Sequence, residues 1–299
     1  MRRIIGFVLK ALFALVLLAG AGVAIAWWKT EHALAQPMEL PAANIVVDGS
    51  TEQVERGRHL ATSRGCTDCH GADLSGNVMI DGQPFGRLVA SNITPGGVGR
   101  HYDARTFEHA IRHGIAFDGT PLVVMPAQDY IGLSDTDVAA LVAYLQSLTP
   151  VRERRPETAL GPLPRVLFAL GRMPLLPALA IDHAKVGPAE APPEAATPEF
   201  GRYVAQTCIG CHGPGLSGGR VPGTPPSFPA ARNITPDASG LGTWSEADFV
   251  RAMREGKRPD GSAIDPFMPW KSFASMTDTE LAALWAYLQT VPAKPVGNR

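Results

Sequence analysis

All four cysteines of the chain fall in two near-copies of one stretch, CTDCHGADLSG at 66–76 and CIGCHGPGLSG at 208–218. Each copy is a Cys-x-x-Cys pair with a histidine directly behind it: Cys66, Cys69, His70 and Cys208, Cys211, His212. Three chemistries use such a pair. A structural zinc site wants four ligands in one cluster, and each copy offers only Cys, Cys and His. A thioredoxin-like dithiol wants a βαβ setting, and the surrounding sequence gives none. The third is covalent attachment of a c-type haem. Two thiols three positions apart can each add to one vinyl group of the same porphyrin, and the next residue is then placed below the ring to bind iron. The glycines behind each histidine let the chain turn sharply and pass close to a large flat group. Two parallel copies select this third chemistry and imply two covalently bound haems c.

The copying extends far beyond the cysteines. SNITPGG at 91–97 matches RNITPDA at 232–238, and TFEHAIRHGIAFDGTPL at 106–122 matches DFVRAMREGKRPDGSAI at 248–264. VVMPAQDYIGLSDTDVAALVAYLQSL at 123–148 matches PFMPWKSFASMTDTELAALWAYLQTV at 266–291. Cys66 and Cys208 are 142 positions apart, Asn92 and Asn233 141, Met125 and Met268 143, Tyr144 and Tyr287 143. So steady an offset means that one folding unit has been duplicated.

The duplication singles out the sixth iron ligand. Met125 and Met268 hold matching places, each followed by proline (Pro126, Pro269) and each ahead of the last helix of its copy. A lone methionine is usually core filler. Two at matched positions, in repeats that each carry one Cys-x-x-Cys-His, read as thioether ligands to iron opposite His70 and His212. Met79, Met173, Met253 and Met276 have no matched counterpart and read as packing. His59, His101, His109 and His113 occur only in the first copy, where one of them could displace Met125. His/Met ligation raises the potential relative to two histidines and leaves no open coordination site, which suits an electron carrier.

Helices joined by loops must hold these groups. Ser134 and Asp137 form an S-x-x-D capping box ahead of Val138, Leu141, Val142 and Leu145; Thr277 and Glu280 precede Leu281, Leu284, Trp285 and Leu288 in the same way. A middle helix runs from near Asp103 to Gly114, and from near Ser245 to Gly256, with glycine at its C-terminal end. A short helix precedes each cysteine pair, around ERGRHLATS and EFGRYVAQT. No segment alternates convincingly as a strand, so the class is all-α.

Composition is that of a folded protein, 45% hydrophobic and 18% charged, with a formal net charge of −1. That charge argues against a nucleic-acid binder. The first thirty residues differ. Arg2, Arg3 and Lys10 precede an uncharged run from Ala11 to Trp28, about the length of a transmembrane helix. The positive start would keep the N-terminus in the cytoplasm, with Trp27 and Trp28 as an interfacial belt and the remaining chain outside. The competing reading is a signal peptide cleaved at Ala33-Leu34-Ala35. Residues 150–199 lie between the copies; PLPRVLFALGRMPLLPALAI there is apolar but interrupted by Arg172, Pro174 and Pro177. It reads as a linker strapped across one repeat, or as a patch lying against the membrane or a partner protein.

C-x-x-C-H-G, N-I-T-P, D-G, M-P and a final A-Y-L helix together resemble class I c-type cytochrome domains over about 50–149 and 197–292. More narrowly, they are similar to the multihaem cytochrome subunits of bacterial membrane-associated alcohol, aldehyde and sugar dehydrogenases. Members typically carry three haem domains; this chain has two. The resemblance implies two tandem class I cytochrome c domains behind an N-terminal transmembrane helix: anchor 1–30, domain 50–149, linker 150–196, domain 197–292. It also implies that Asn92 and Asn233 lie near the haem edge and that Tyr102 and Trp244 pack beside it. Tyr144 and Tyr287 would pack where the last helix crosses the first.

The function to expect is electron transfer without turnover. Its redox partners would be a dehydrogenase as donor and a quinone, oxidase or further cytochrome as acceptor, at the inner membrane with the haem domains in the periplasm. An alternative is a dihaem enzyme, peroxidase-like or sulfur-oxidising, in which one iron keeps an open position. A haem-based sensor has no output domain to support it. No dinucleotide fingerprint, metal-hydrolase motif or nucleophile elbow is present.

Overall fold

A computed structural model of the chain describes residues 2–39, 44–224 and 227–298; Met1, the first residue of the expected anchor, lies outside them. Helix α1 (Arg2–Leu34) leads the chain as 33 continuous helical residues. Its apolar side chains are exposed over nearly the whole length, and none of its most apolar window is buried.

The first repeat follows. Helices α2 (Thr51–Ser63) and α3 (Cys66–His70) are succeeded by strands β1 (Asn77–Gly82) and β2 (Gly86–Ala90), then α4 (Ala104–Glu108) and α5 (Asp135–Ser147). Strand β3 (Ala159–Leu160) and α6 (Pro162–Ala169) belong to the linker. The second repeat is α7 (Pro198–Val204), α8 (Gln206–His212), α9 (Glu246–Glu255), α10 (Trp270–Phe273) and α11 (Asp278–Leu288).

The caps fall where the residue types demand them. Asp103 and Ser245 cap α4 and α9 with reciprocal capping boxes. The middle segment ends at Gly114 or Gly256, each left-handed at φ 66° and 64°, a conformation glycine adopts without steric cost. In the first repeat that segment widens into one π turn, His109–His113.

Within each repeat the first helix crosses the last, α2 on α5 and α7 on α11. A Cβ on Gly57 would overlap the Ala140 carbonyl, and one on Gly201 the Ala283 carbonyl. Tyr144 and Tyr287 flank these two crossings, as the resemblance implies. Leu60, Leu141 and Val142 fill the first core; Phe200, Leu281 and Leu284 fill the second, and the two cores are continuous.

The sheet departs from the all-helical expectation, although the fold remains mostly helical. β1 pairs antiparallel with β2, and β2 with β3, in a small three-stranded sheet. β1 is exposed at every position and its register breaks between Val78 and Ile80. A strand with neither face buried shows no two-residue alternation, so sequence periodicity could not reveal it.

The linker is strapped along the first repeat. β3 extends its hairpin, the Val124 N–H donates to the Leu175 carbonyl at 2.9 Å, and Gly187 N–H donates to the Ile131 carbonyl at 2.9 Å. Leu160, Leu175 and Leu176 form a small core of their own, against which Ala33 and Leu34 of α1 pack.

The repeats meet in a pseudo-symmetric seam. Aligning Gly57 with Gly201 makes His59 the counterpart of Tyr203. Each reaches the carboxylate near the start of the other repeat's last helix. Tyr203 donates to Asp137 Oδ2 at 2.7 Å, and His59 Nε2 donates to Glu280 Oε2 at 2.8 Å. Arg64 adds a contact to Glu280 Oε1 at 3.3 Å. Asp137 therefore does not close the expected capping box. Its carboxylate is held by Tyr203 and by Arg56 (2.9 Å), while the Ser134 N–H it would have capped donates to the Tyr203 hydroxyl. Thr277 and Glu280 do form the reciprocal box. A second matched pair joins the repeats, Asp68 accepting from Ser272 at 2.6 Å and Asp129 lying against Gly210.

Glu280 is 1% exposed. Burial alone would raise its carboxyl, but the His59 hydrogen bond and the charges of Arg64 and His59 outweigh it and bring it down to about 2. Its folded value lies below the unfolded one, so its contribution is complete above about pH 4.5 and is lost as pH falls towards 2. That contribution is about 3 kcal/mol at neutral pH. Glu280→Gln should lower the denaturant midpoint of the holo-protein at pH 7, with the gap to the parent closing by about pH 2–3. A gap of constant size across that range, followed by far-UV circular dichroism, would show that this carboxylate does not clamp the seam.

Candidate functional site

Each repeat places its histidine on a short helix that stops at once. α3 ends at His70 and α8 at His212, and the glycines behind them, Gly71 and Gly213, sit at φ 82° and 79°. The turn continues through Leu74 and Leu216, both left-handed at φ 58° and 57°. It closes with Gly76 N–H on the His70 carbonyl at 2.7 Å and Gly218 N–H on the His212 carbonyl at 2.9 Å. This loop brings the segment ahead of N-I-T-P alongside the histidine. His70 Nδ1–H donates to the Ser91 carbonyl at 2.8 Å, and His212 Nδ1–H donates to the Arg232 carbonyl at 2.7 Å. Both rings thus carry their proton on Nδ1 and keep the lone pair on Nε2. A backbone partner of this kind fixes tautomer and orientation in metal-ligating histidines. Burial lowers the pKa of His70, which favours the neutral imidazole that iron binds.

Two cavities lie over these histidines. Cys69, His70 and Met125 border the first, with Ile93, Tyr102 and Val124; Cys66 stands behind them, packed on the core. Cys208, Cys211, His212 and Met268 border the second, with Ile234 and Phe273. The first measures about 160 Å³ and the second about 780 Å³. The difference traces to the β1–β2 hairpin, whose Met79, Leu88 and Val89 close over the first cavity. Among the described residues the second repeat has an isolated bridge, Gly219 to Ala231, and no hairpin at the corresponding place.

The donor set fits a haem attached through two thioethers. Each cavity is predominantly apolar, opens beside a Cys-x-x-Cys pair, and faces an imidazole and a thioether from different segments. All four cysteines are unbridged. Burial pushes the Cys66 and Cys208 thiols up to about 12 and also raises Cys69. A redox-active dithiol needs the opposite shift. Among the described residues no cluster of three or more His, Cys, Asp or Glu could hold a metal ion.

The N-I-T-P asparagines, flanked by residues that border the cavities, tie their loops down. Asn92 Oδ1 accepts from the Thr94 N–H (3.0 Å) and hydroxyl (2.7 Å) while its amide donates to the Val151 carbonyl at 2.7 Å. Asn233 repeats this with Thr235 and the Lys294 carbonyl. Each side chain ties the cavity-wall loop to the segment leaving the last helix. The cavities are bordered instead by their neighbours, Ser91 and Ile93, Arg232 and Ile234. Tyr102 borders the first cavity, whereas Trp244 packs on the core without bordering the second.

The four first-copy histidines are occupied elsewhere. His59 is in the seam, His101 stacks on Phe117 at 4.9 Å, His109 lies 3.7 Å from Glu108, and His113 Nδ1 meets His183 Nδ1 at 2.9 Å. None borders the first cavity. Met79 and Met253, read as packing, do border cavities; Met276 is core and Met173 packs in the linker cluster. The hairpin wall went unread in the sequence. Its one signal was the turn-forming Q-P-F-G between two apolar runs.

Two known families match the chain. Residues 52–145 match the family described as cytochrome C oxidase, cbb3-type, subunit III, and residues 201–292 match the family described as cytochrome c. The fructose dehydrogenase cytochrome subunit of Gluconobacter japonicus is 29% identical over 95% of this chain and 59% of its own length. The alcohol dehydrogenase (quinone) cytochrome c subunit of Gluconobacter oxydans is 26% identical over 91% of this chain and 61% of its own length. A nicotinate dehydrogenase subunit of Pseudomonas putida is 29% identical over 90% of this chain but 23% of its own length. The chain therefore spans at most about three fifths of the length of these relatives.

Cys208→Ser combined with Cys211→Ser should reduce covalently bound haem from two to one per chain, read by intact mass and by haem stain after denaturing electrophoresis. Retention of two would refute the attachment site in the second repeat.

Proposed function

The chain carries two cytochrome c domains and two covalently bound haems c, and we propose that it is a membrane-tethered carrier relaying electrons from a dehydrogenase towards the respiratory chain. The domains run over 50–149 and 197–292 in this reading, with 150–196 as linker. One observation carries it: both repeats set an Nδ1-anchored histidine and a Met-Pro thioether around the same apolar cavity. When bound, each haem supplies one-electron exchange between ferric and ferrous iron. The residues decide the rest. Cys66 and Cys69, and Cys208 and Cys211, would hold the haems covalently, with His70 and Met125 in the first repeat and His212 and Met268 in the second as the iron ligands. A neutral thioether favours the ferrous state and so sets a higher potential than a second histidine would. An iron held by both a histidine and a thioether of the protein would leave substrate and oxygen no place to bind, and the protein would change charge without turnover. The relatives are named as subunits of dehydrogenases; a catalytic partner for this chain follows by analogy. They lend no support to a peroxidase-like enzyme.

α1 is the anchor in this reading, in the inner membrane with the haem domains outside. It is long and apolar enough to cross a bilayer, and Arg2 and Arg3 at its start favour a cytoplasmic N-terminus. Its last turns are also part of the folded body. Arg165, buried in the linker, pairs with Glu31 at 2.6 Å and stacks its guanidinium 3.8 Å from the centre of the Trp27 ring. Cleavage behind Ala35 would remove the Glu31 carboxylate and the Trp27 ring that cover Arg165, leaving its guanidinium on the Leu160 carbonyl. This favours retention over a cleaved signal.

Carbon monoxide added to the dithionite-reduced holo-protein should leave the visible spectrum unchanged, and Met268→Leu should make one haem bind it and lower that haem's potential. A parent protein that binds carbon monoxide would overturn the filled-iron reading. The mature protein should retain residues 1–35 by intact mass and should leave membranes with detergent but not with salt; a chain starting behind Ala35 would overturn the anchor.

A further inference from the structure

The linker leaves an apolar edge uncovered at one particular height on the anchor. α6 packs along the last turns of α1, where Ala26 and Thr30 are buried, Trp27 lies under Arg165, and Ala33 and Leu34 join the linker core. The span from Ile4 to Trp27 rises about 35 Å, enough for a hydrocarbon core of about 30 Å. Trp27 and Trp28 then mark the outer boundary, as aromatic belts do. Helix α6 is fixed sideways to the helix at and just beyond that boundary, which is the headgroup layer.

The side chains on α6 and behind it suit that layer. Leu163 is 40% exposed and Leu170 67% exposed. Leu167, half-buried, lies between them at helical spacing on the same face. Arg172, exposed, follows directly and can reach lipid phosphate while its stem stays on apolar surface. The other cation of the segment, Arg165, is turned inward and consumed by Glu31 and Trp27. An exposed apolar face with a cation at its end suits a segment that meets a lipid interface.

We infer that α6 and the turn behind it form a second, monotopic membrane contact, with Leu163, Leu167 and Leu170 embedded in the outer leaflet that α1 crosses. The inference rests on α1 being a retained anchor. The occupant is lipid because α1 and α6 are joined: whatever holds α1 across a bilayer also holds α6 against its surface. The contact tethers the first repeat at two points, so that the β1–β2 hairpin, linked to α6 through β3, keeps a constant height above the membrane.

The test is photolabelling of the full-length holo-protein in nanodiscs of phosphatidylethanolamine and phosphatidylglycerol containing a diazirine phospholipid, followed by peptide mass mapping. Adducts are expected on α1 and on peptides covering 163–170, and not around Val46, which is exposed in the segment ahead of α2. Leu163→Asp with Leu170→Asp should abolish the linker adducts while leaving α1 adducts and the haem spectrum unchanged. Adducts on α1 alone in the parent protein would overturn the inference with the anchor intact. Adducts on neither segment would overturn the anchor reading, and this contact with it.

Discussion

The Glu280 carboxylate is buried where the two repeats meet, and the relation between the two haem cavities depends on what holds it. Arg64 and His59, both from the other repeat, approach it together. A buried carboxylate is tolerable only when it is paired and hydrogen-bonded, so this contact exists fully or costs stability. Its counterpart is milder: Asp137 takes a tyrosine hydroxyl across the seam and an arginine from its own repeat. Together the pairs bring the two Cys-x-x-Cys helices towards one another, with Asp68 on Ser272 and Asp129 against Gly210. The two attachment segments thus border one fixed interface, as a short electron relay needs.

The ligand-bearing loops depend on chain outside themselves. Met125 follows Val124, which sits at φ 60°, a conformation that β-branched residues avoid. Its N–H is held by Leu175 of the linker, so the segment between the repeats helps to present a sulfur within the first. The N-I-T-P loops are tied by their asparagines to the segments that leave α5 and α11. These tethers keep the carbonyls of Ser91 and Arg232 on the imidazoles, and through them the orientation of both rings.

Duplication has left the two sites unequal. The first is roofed by a hairpin, buttressed by the linker and joined through it to the end of α1. Among the described residues the second has no such hairpin, and its cavity is larger. The same ligand set therefore meets two different surroundings, with His212 buried and His70 half-buried, and a haem's surroundings are among the factors that set its potential.

Much was legible in the sequence because the groups concerned are local and repeated. Cys-x-x-Cys-His is a five-residue unit whose chemistry is complete within itself, and the constant offset between Met125 and Met268 separated thioether candidates from core methionines. Helix ends were legible for the same reason, since Asp103, Ser245, Gly114 and Gly256 act on their own neighbours. The tertiary structure alone decided what depends on residues distant in the chain. Asn92 and Asn233 act as ties, because carbonyls some sixty positions later take their amides. Asp137 deserted its capping box because Tyr203 lies opposite it. The hairpin over the first cavity carried no periodic signal because neither face of β1 is buried, and Arg165 gave no sign in the sequence that it would turn inward onto Trp27. A sequence displays propensity and pattern; which distant group satisfies a buried charge or amide is settled only when the chain has packed.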